Sequence, residues 1–102
     1  MFFMTSTAYL LPPFTARDEP PVANAGSDIT VQYPYRSLIL DGRRSTDDKG
    51  ITQYRWQHGS QTYFGQTYQP DLTPGTYEFT LTVYDAAGQT GQDTVRVTVL
   101  GN

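Results

Sequence analysis

Two stretches near the C-terminus, "TYEFTLTVYD" and "DTVRVTVLG", limit the fold more than any other part of the chain. In the first, Tyr77, Phe79, Leu81 and Val83 alternate with Glu78, Thr80, Thr82 and Tyr84. In the second, Val95, Val97 and Val99 alternate with Thr94, Arg96 and Thr98. A period of two places one set of side chains on each face of a β-strand, and no helix presents such a pattern as one apolar face. Between them "DAAG" reads as a short turn, with Gly88 free to take the positive φ that tight turns demand. The two segments are therefore predicted as a central antiparallel hairpin whose Tyr77 and valine sets face a core.

Upstream segments repeat the pattern more weakly. "SLILDG" sets Leu38 and Leu40 on one face and Ile39 on the other. "ITQYRWQ" sets Tyr54 and Trp56 against Gln53, Arg55 and Gln57. "SDITV" pairs Ile29 with Val31, and "QTYFGQTYQ", broken by Gly65, suits one or two short edge strands. No window shows a helical apolar period. Turn residues separate strands about every 8–12 residues, which predicts an all-β, immunoglobulin-like sandwich of about seven antiparallel strands in two sheets. Its predicted core is Leu38, Leu40, Tyr54, Trp56, Tyr77, Phe79, Leu81, Val83, Val95 and Val97. "LTPGTY" also sets Tyr77 where a tyrosine corner would lie, its hydroxyl bonding back to upstream backbone; a plain core aromatic is the alternative.

The chain has 102 residues, enough for one domain with a single core and little surface for a deep cleft. Ten acidic residues against seven basic ones give a net charge of −3, which argues against binding a phosphate backbone. Arg43–Arg44, the only basic doublet, sits among acids and reads as a solvated loop pair. The absence of cysteine excludes a disulfide framework, a thiolate metal site and a cysteine nucleophile. No run of about 20 apolar residues exists to insert into a membrane. Residues 1–19 differ from the rest: "MFFMTSTAYLLPPFTA" is apolar and lacks the basic start of a signal peptide. A linker from a longer chain, a processed leader, a cloning remnant or a strand pairing with another copy all fit it. The sandwich is assigned to 20–102.

Taken in order, "PPVANAGSDITV", "LILDGRRSTDDKGITQYRW" and "GTYEFTLTVYDAAGQTGQDTVRVTV" resemble a PKD (polycystic kidney disease) domain. Pro21, Val22, Ala23, Ala25 and Gly26 match its opening, and Leu40, Asp41, Gly42, Ser45 and Asp47 its loop motif. Ile51, Tyr54 and Trp56 follow, then Tyr77, Phe79, Leu81, Val83, Asp85 and Gly88, then Val95 and Val97. The chain departs from the family after Trp56, where "WQHGSQ" replaces a W-D-F-G-D-G loop. This is closer to a subgroup found in bacterial secreted hydrolases and eukaryotic cell-surface proteins. The resemblance implies an extracellular or cell-surface, non-catalytic module that spaces, links or adheres. Its partners would be neighbouring domains of the same chain or another extracellular protein.

The acids of "STDDKG" raise the question of chemistry. Paired-carboxylate hydrolysis needs two acids across a cleft, one with a raised pKa, and Asp47 and Asp48 are neighbours on a Gly-bounded loop. His58, the only histidine, has no flagged nucleophile beside it, so no enzyme is expected. Calcium takes six to eight oxygens; Ser45, Asp47 and Asp48 offer some, although Lys49 breaks EF-hand spacing. Some PKD domains of secreted bacterial proteases bind calcium where the N-terminal linker meets this loop. By that resemblance Asp47 and Asp48 match the loop acids, Asp18 or Glu19 the linker ligand, and Asp85 lies within reach. The alternative is that Asp47 shapes the turn through backbone N–H groups while Asp48 is solvated. Asp41 is expected to cap a strand end. The core requires no cofactor; calcium is the one this loop could hold.

Aromatic residues supply a second functional class. Tyr33, Tyr35, Tyr63, Phe64 and Tyr68 lie beside Gln and Arg in "QYPYR" and "QTYFGQTYQ", and Tyr84 is a further outward aromatic. Flat rings next to amides suit a polysaccharide, and Tyr and Arg also dominate protein contacts. Folding over the edge of the core is the competing role.

Overall fold

Every alternating segment contains a strand, although "SLILDG" forms one only at Leu40–Asp41. The structure, a computed structural model, describes residues 18–101; the reading of the N-terminal tail lies, for residues 1–17, outside them. The strands are β1 (Ile29–Gln32), β2 (Leu40–Asp41), β3 (Ile51–His58), β4 (Gln61–Phe64), β5 (Thr67–Tyr68), β6 (Gly75–Asp85) and β7 (Thr90–Leu100). Five form one sheet in the order β1-β7-β6-β3-β4, and β2 pairs with β5 in the second. No helix among the described residues is long and apolar enough to cross a membrane.

The predicted hairpin is the spine. β6 and β7 pair from Gly75↔Val99 to Tyr84↔Thr90, and Gly88 closes their turn at φ +84°. β3 flanks β6 antiparallel, setting Trp56 opposite Leu81. One pairing departs from the antiparallel expectation: β1 runs parallel to β7, Ile29 opposite Val97 and Gln32 opposite Leu100. Apolar alternation fixes which face a strand buries, but not the direction of its neighbour.

Between the sheets lie Leu40, Trp56, Phe79, Leu81, Val83, Val95 and Val97, all essentially inaccessible, with Leu38 and Val99 beside them. Tyr54 and Tyr77 are half-buried against this cluster. Trp56 also donates its indole N–H to the Gly65 carbonyl at 3.1 Å, which satisfies the one polar atom of a buried ring. Thr82, expected to face out, is buried. Register places it between Arg55 and Gln92, and the Gln92 side-chain amide donates to its hydroxyl at 3.1 Å.

Strand direction sets the two ends of the domain apart. Residue 18 lies at the β6–β7 turn, where the Gln89 side-chain amide donates to its carbonyl at 2.9 Å. The chain leaves β7 at Leu100, beside the start of β6.

Candidate functional site

The lead-in before β1 is tied down by side-chain acceptors. Val22 and Thr46 form a two-way bridge. The Asn24 N–H donates to the Ser45 hydroxyl at 2.8 Å, and the Ala25 N–H to the Asp93 carboxylate at 2.8 Å. The lead-in also crosses β7 so closely at Gly91 that any Cβ there would collide with the Pro21 carbonyl oxygen. These contacts carry Asp18 to the end of the sandwich.

There Asp18, Asp47 and Asp85 converge, one carboxylate oxygen from each lying within 4.8 Å of the others. The three come from the lead-in, the loop before β3 and the end of β6. Asp85 is buried and held in place: its Oδ1 accepts from the Ala87 and Gln89 N–H groups, and its Oδ2 accepts one bond, from the Gln89 side-chain amide. Asp47 accepts the Lys49 N–H through Oδ2 at 3.1 Å, the turn-shaping role expected of it. Its Oδ1 and the Oδ1 of Asp18 are enclosed and receive no donor. Burial pushes the Asp18 carboxyl above its ordinary value, with Asp85, Asp48 and Asp47 adding to the rise and Lys49 opposing it.

Enclosed carboxylate oxygens facing other carboxylates are unfavourable unless a proton or a cation joins them. Two such oxygens from different segments, with a third acid already rigid, fit the calcium that the family resemblance implies. Calcium there would neutralise the cluster and brace the lead-in against the sandwich, supplying cohesion rather than catalysis. Of the six predicted ligands, three meet. Ser45 instead holds Asn24, while Asp48 accepts the Glu19 N–H at 3.3 Å. Gln89, which joins Asp85 to the Asp18 carbonyl, escaped the sequence reading because a turn glutamine carries no metal-ligand signal.

Asp41 shows the opposite electrostatics. Arg43, though solvent-facing as expected, grips it with Nε and an Nη at 3.0 and 2.9 Å, and the Arg43 backbone N–H donates to it as well. The side-chain hydrogen bonds from Arg43 hold the Asp41 carboxyl down at about 2. This is the strand-end cap, fully satisfied.

The predicted recognition aromatics do not share one plane. Tyr33 meets Tyr35 edge-on at 6.5 Å. The Tyr35 hydroxyl donates to the Pro70 carbonyl at 3.1 Å and accepts the Leu72 N–H at 2.8 Å. Tyr63 stacks on half-buried Tyr68 at 4.4 Å, and Tyr68 meets Phe79 edge-on. Phe64, 56% exposed, follows Tyr63 in the same strand and so points to the other face. Arg55 lies over the Tyr84 ring at 5.7 Å.

Comparison with known proteins agrees with the fold. A model of the family described as "K319L-like, PKD domain" matches residues 25–99. The human low-density lipoprotein receptor-related protein 11 is 42% identical over 86% of this chain and 19% of its own length. The mouse dyslexia-associated protein KIAA0319-like protein is 41% identical over 83% of this chain and 9% of its own. The chain thus spans about a fifth or less of these curated relatives. The solution structure of the PKD domain from KIAA 1837 protein superposes with a TM-score of 0.63 at 32% identity, covering 87% of this chain and 94% of that one. With its strands, its tyrosine-bearing hairpin and its ordered motifs matched along most of its length, the chain belongs to the K319L-like PKD domain family.

Proposed function

We propose that the chain is a non-catalytic spacing and interaction module of a longer extracellular or cell-surface protein, its lead-in braced by calcium at Asp18, Asp47 and Asp85. The observation that carries this is the placement of the two ends. The chain enters beside Asp85 and leaves beside Gly75, at opposite ends of an eleven-residue strand. At about 3.4 Å per residue the ten steps from Gly75 to Asp85 set its neighbours about 34 Å apart. A receptor-related name among the relatives, and the small share of each relative that the chain spans, support a place among other domains.

The test joins two copies of the chain in tandem, spin-labelled at equivalent exposed positions, and measures their separation with calcium and with chelator. A narrow distribution at or beyond one module length is expected with calcium, broadening with chelator or with Asp47→Asn. A separation shorter than one module would overturn the spacer. Calorimetry reads the brace alone, with a Kd of roughly 10⁻⁴–10⁻³ M expected for an extracellular site; no heat at millimolar calcium removes it.

A further inference from the structure

A pocket of about 350 Å³ opens at the exit end of the domain, lined by His58, Gln61, Tyr68, Pro70, Asp71, Leu72 and Phe79. It is small for a ligand site, near the lower end of the roughly 300–1,000 Å³ typical of such sites. Phe79 and Leu72 close its base as part of the core. Three polar side chains, His58, Gln61 and Asp71, line it.

The His58 ring packs against Tyr77 and Phe79 at 5.3 and 5.0 Å. Its Nδ1 lies 3.2 Å from the Glu78 carbonyl oxygen. A carbonyl only accepts, so Nδ1 carries the proton and Nε2 of the neutral ring is left as an acceptor. Asp71 sits between Pro70 and Leu72, whose carbonyl and N–H are both bound to the Tyr35 hydroxyl. The backbone is thus pinned on each side of an exposed carboxylate. Gln61 opens β4 directly opposite His58 and adds an amide oxygen. A carboxylate on a pinned backbone, an imidazole acceptor and an amide oxygen beside an aromatic base complement a group rich in N–H donors and positively charged.

From this arrangement we infer that the pocket receives one basic side chain, a guanidinium or an ammonium, presented by a partner protein. The inference rests on the interaction half of the proposed function and names the chemistry of its contact. The chain's own net charge of −3 favours such a partner. Since β7 ends beside the start of β6, the same end of the domain faces whatever follows in the chain.

The test is an amide-shift titration of the ¹⁵N-labelled full chain with N-acetyl-argininamide, N-acetyl-lysinamide, the uncharged isostere N-acetyl-citrullinamide, and methyl N-acetylglucosaminide. Saturable shifts at His58, Gln61, Asp71 and Leu72 are expected with one or both cations, and their relative strength identifies the head group. Asp71→Asn, an isosteric change at an exposed site, should weaken that binding about tenfold while leaving the melting temperature unchanged. Equal response to the citrulline compound, shifts with the glycoside alone, or no shifts at these residues would each overturn the assignment. The tandem distance measurement is blind to this pocket, so failure here and failure of the spacer reading are separable.

Discussion

The two ends of this sandwich solve the same problem with opposite chemistry. Each must hold a segment of irregular chain against the core. At the entrance the contacts include three carboxylates, two with enclosed oxygens that lack donors. At the exit the contacts are neutral and include hydroxyls: Tyr35 clasps the Pro70–Leu72 loop, and Tyr77 donates to the Thr73 carbonyl at 2.7 Å. Neutral hydrogen bonds are indifferent to pH and ions, whereas clustered carboxylates are governed by both. On the calcium reading proposed above, the exit stays fastened whatever the solvent and the entrance depends on it.

The harshest way to break this contrast is to remove what both ends share. Trp56→Ala should cost about 3–5 kcal/mol, abolishing both cooperative unfolding near its native midpoint and the calcium response; denaturant titration measures it. Tyr35→Phe strands a carbonyl and an N–H in a partly buried loop and should cost roughly 1–3 kcal/mol, with no change in calcium binding by calorimetry.

If the proposed brace holds, the entrance should respond to its solvent. Calcium at ten times its Kd should stabilise the native chain by about 1.4 kcal/mol, and Asp47→Asn should erase that gain in thermal melts. Acid sharpens the distinction. Because the folded-state pKa of Asp18 is raised, its contribution without calcium is present below the ordinary carboxylate value and is lost as pH rises through the raised one. Protons then compete with the metal, so calorimetric affinity should fall between neutral pH and about pH 4. Asp41 behaves inversely: its contribution is present above the ordinary value and lost as pH falls through about 2. The smallest effect belongs to Tyr77→Phe, which should lower stability by about 1 kcal/mol at any calcium concentration.

How much of this was legible follows from what each feature depends on. The hairpin, the buried face of β3 and the tyrosine corner are written locally, in alternation and in "LTPGTY", and the structure has them all. Asp47 and Asp85 stood out as acids in turns, but their meeting with Asp18 depends on a lead-in path that crosses Gly91, and nothing in the sequence around that glycine signals an overlying chain. Tyr35 looked like a surface aromatic because its partners, Pro70 and Leu72, are more than thirty residues away. The direction of β1 was silent for the same reason.

That direction has a mechanical meaning. β1 and β7 run side by side, one reached from the entrance and the other leaving at the exit. Tension on the two ends of the domain would drag these strands past each other along their length. All four residue pairs between Ile29 and Leu100, and the adjoining bond from the Tyr33 N–H to the Leu100 carbonyl, would then bear load together instead of parting one at a time. A chain built this way resists stretching as a lap joint resists shear.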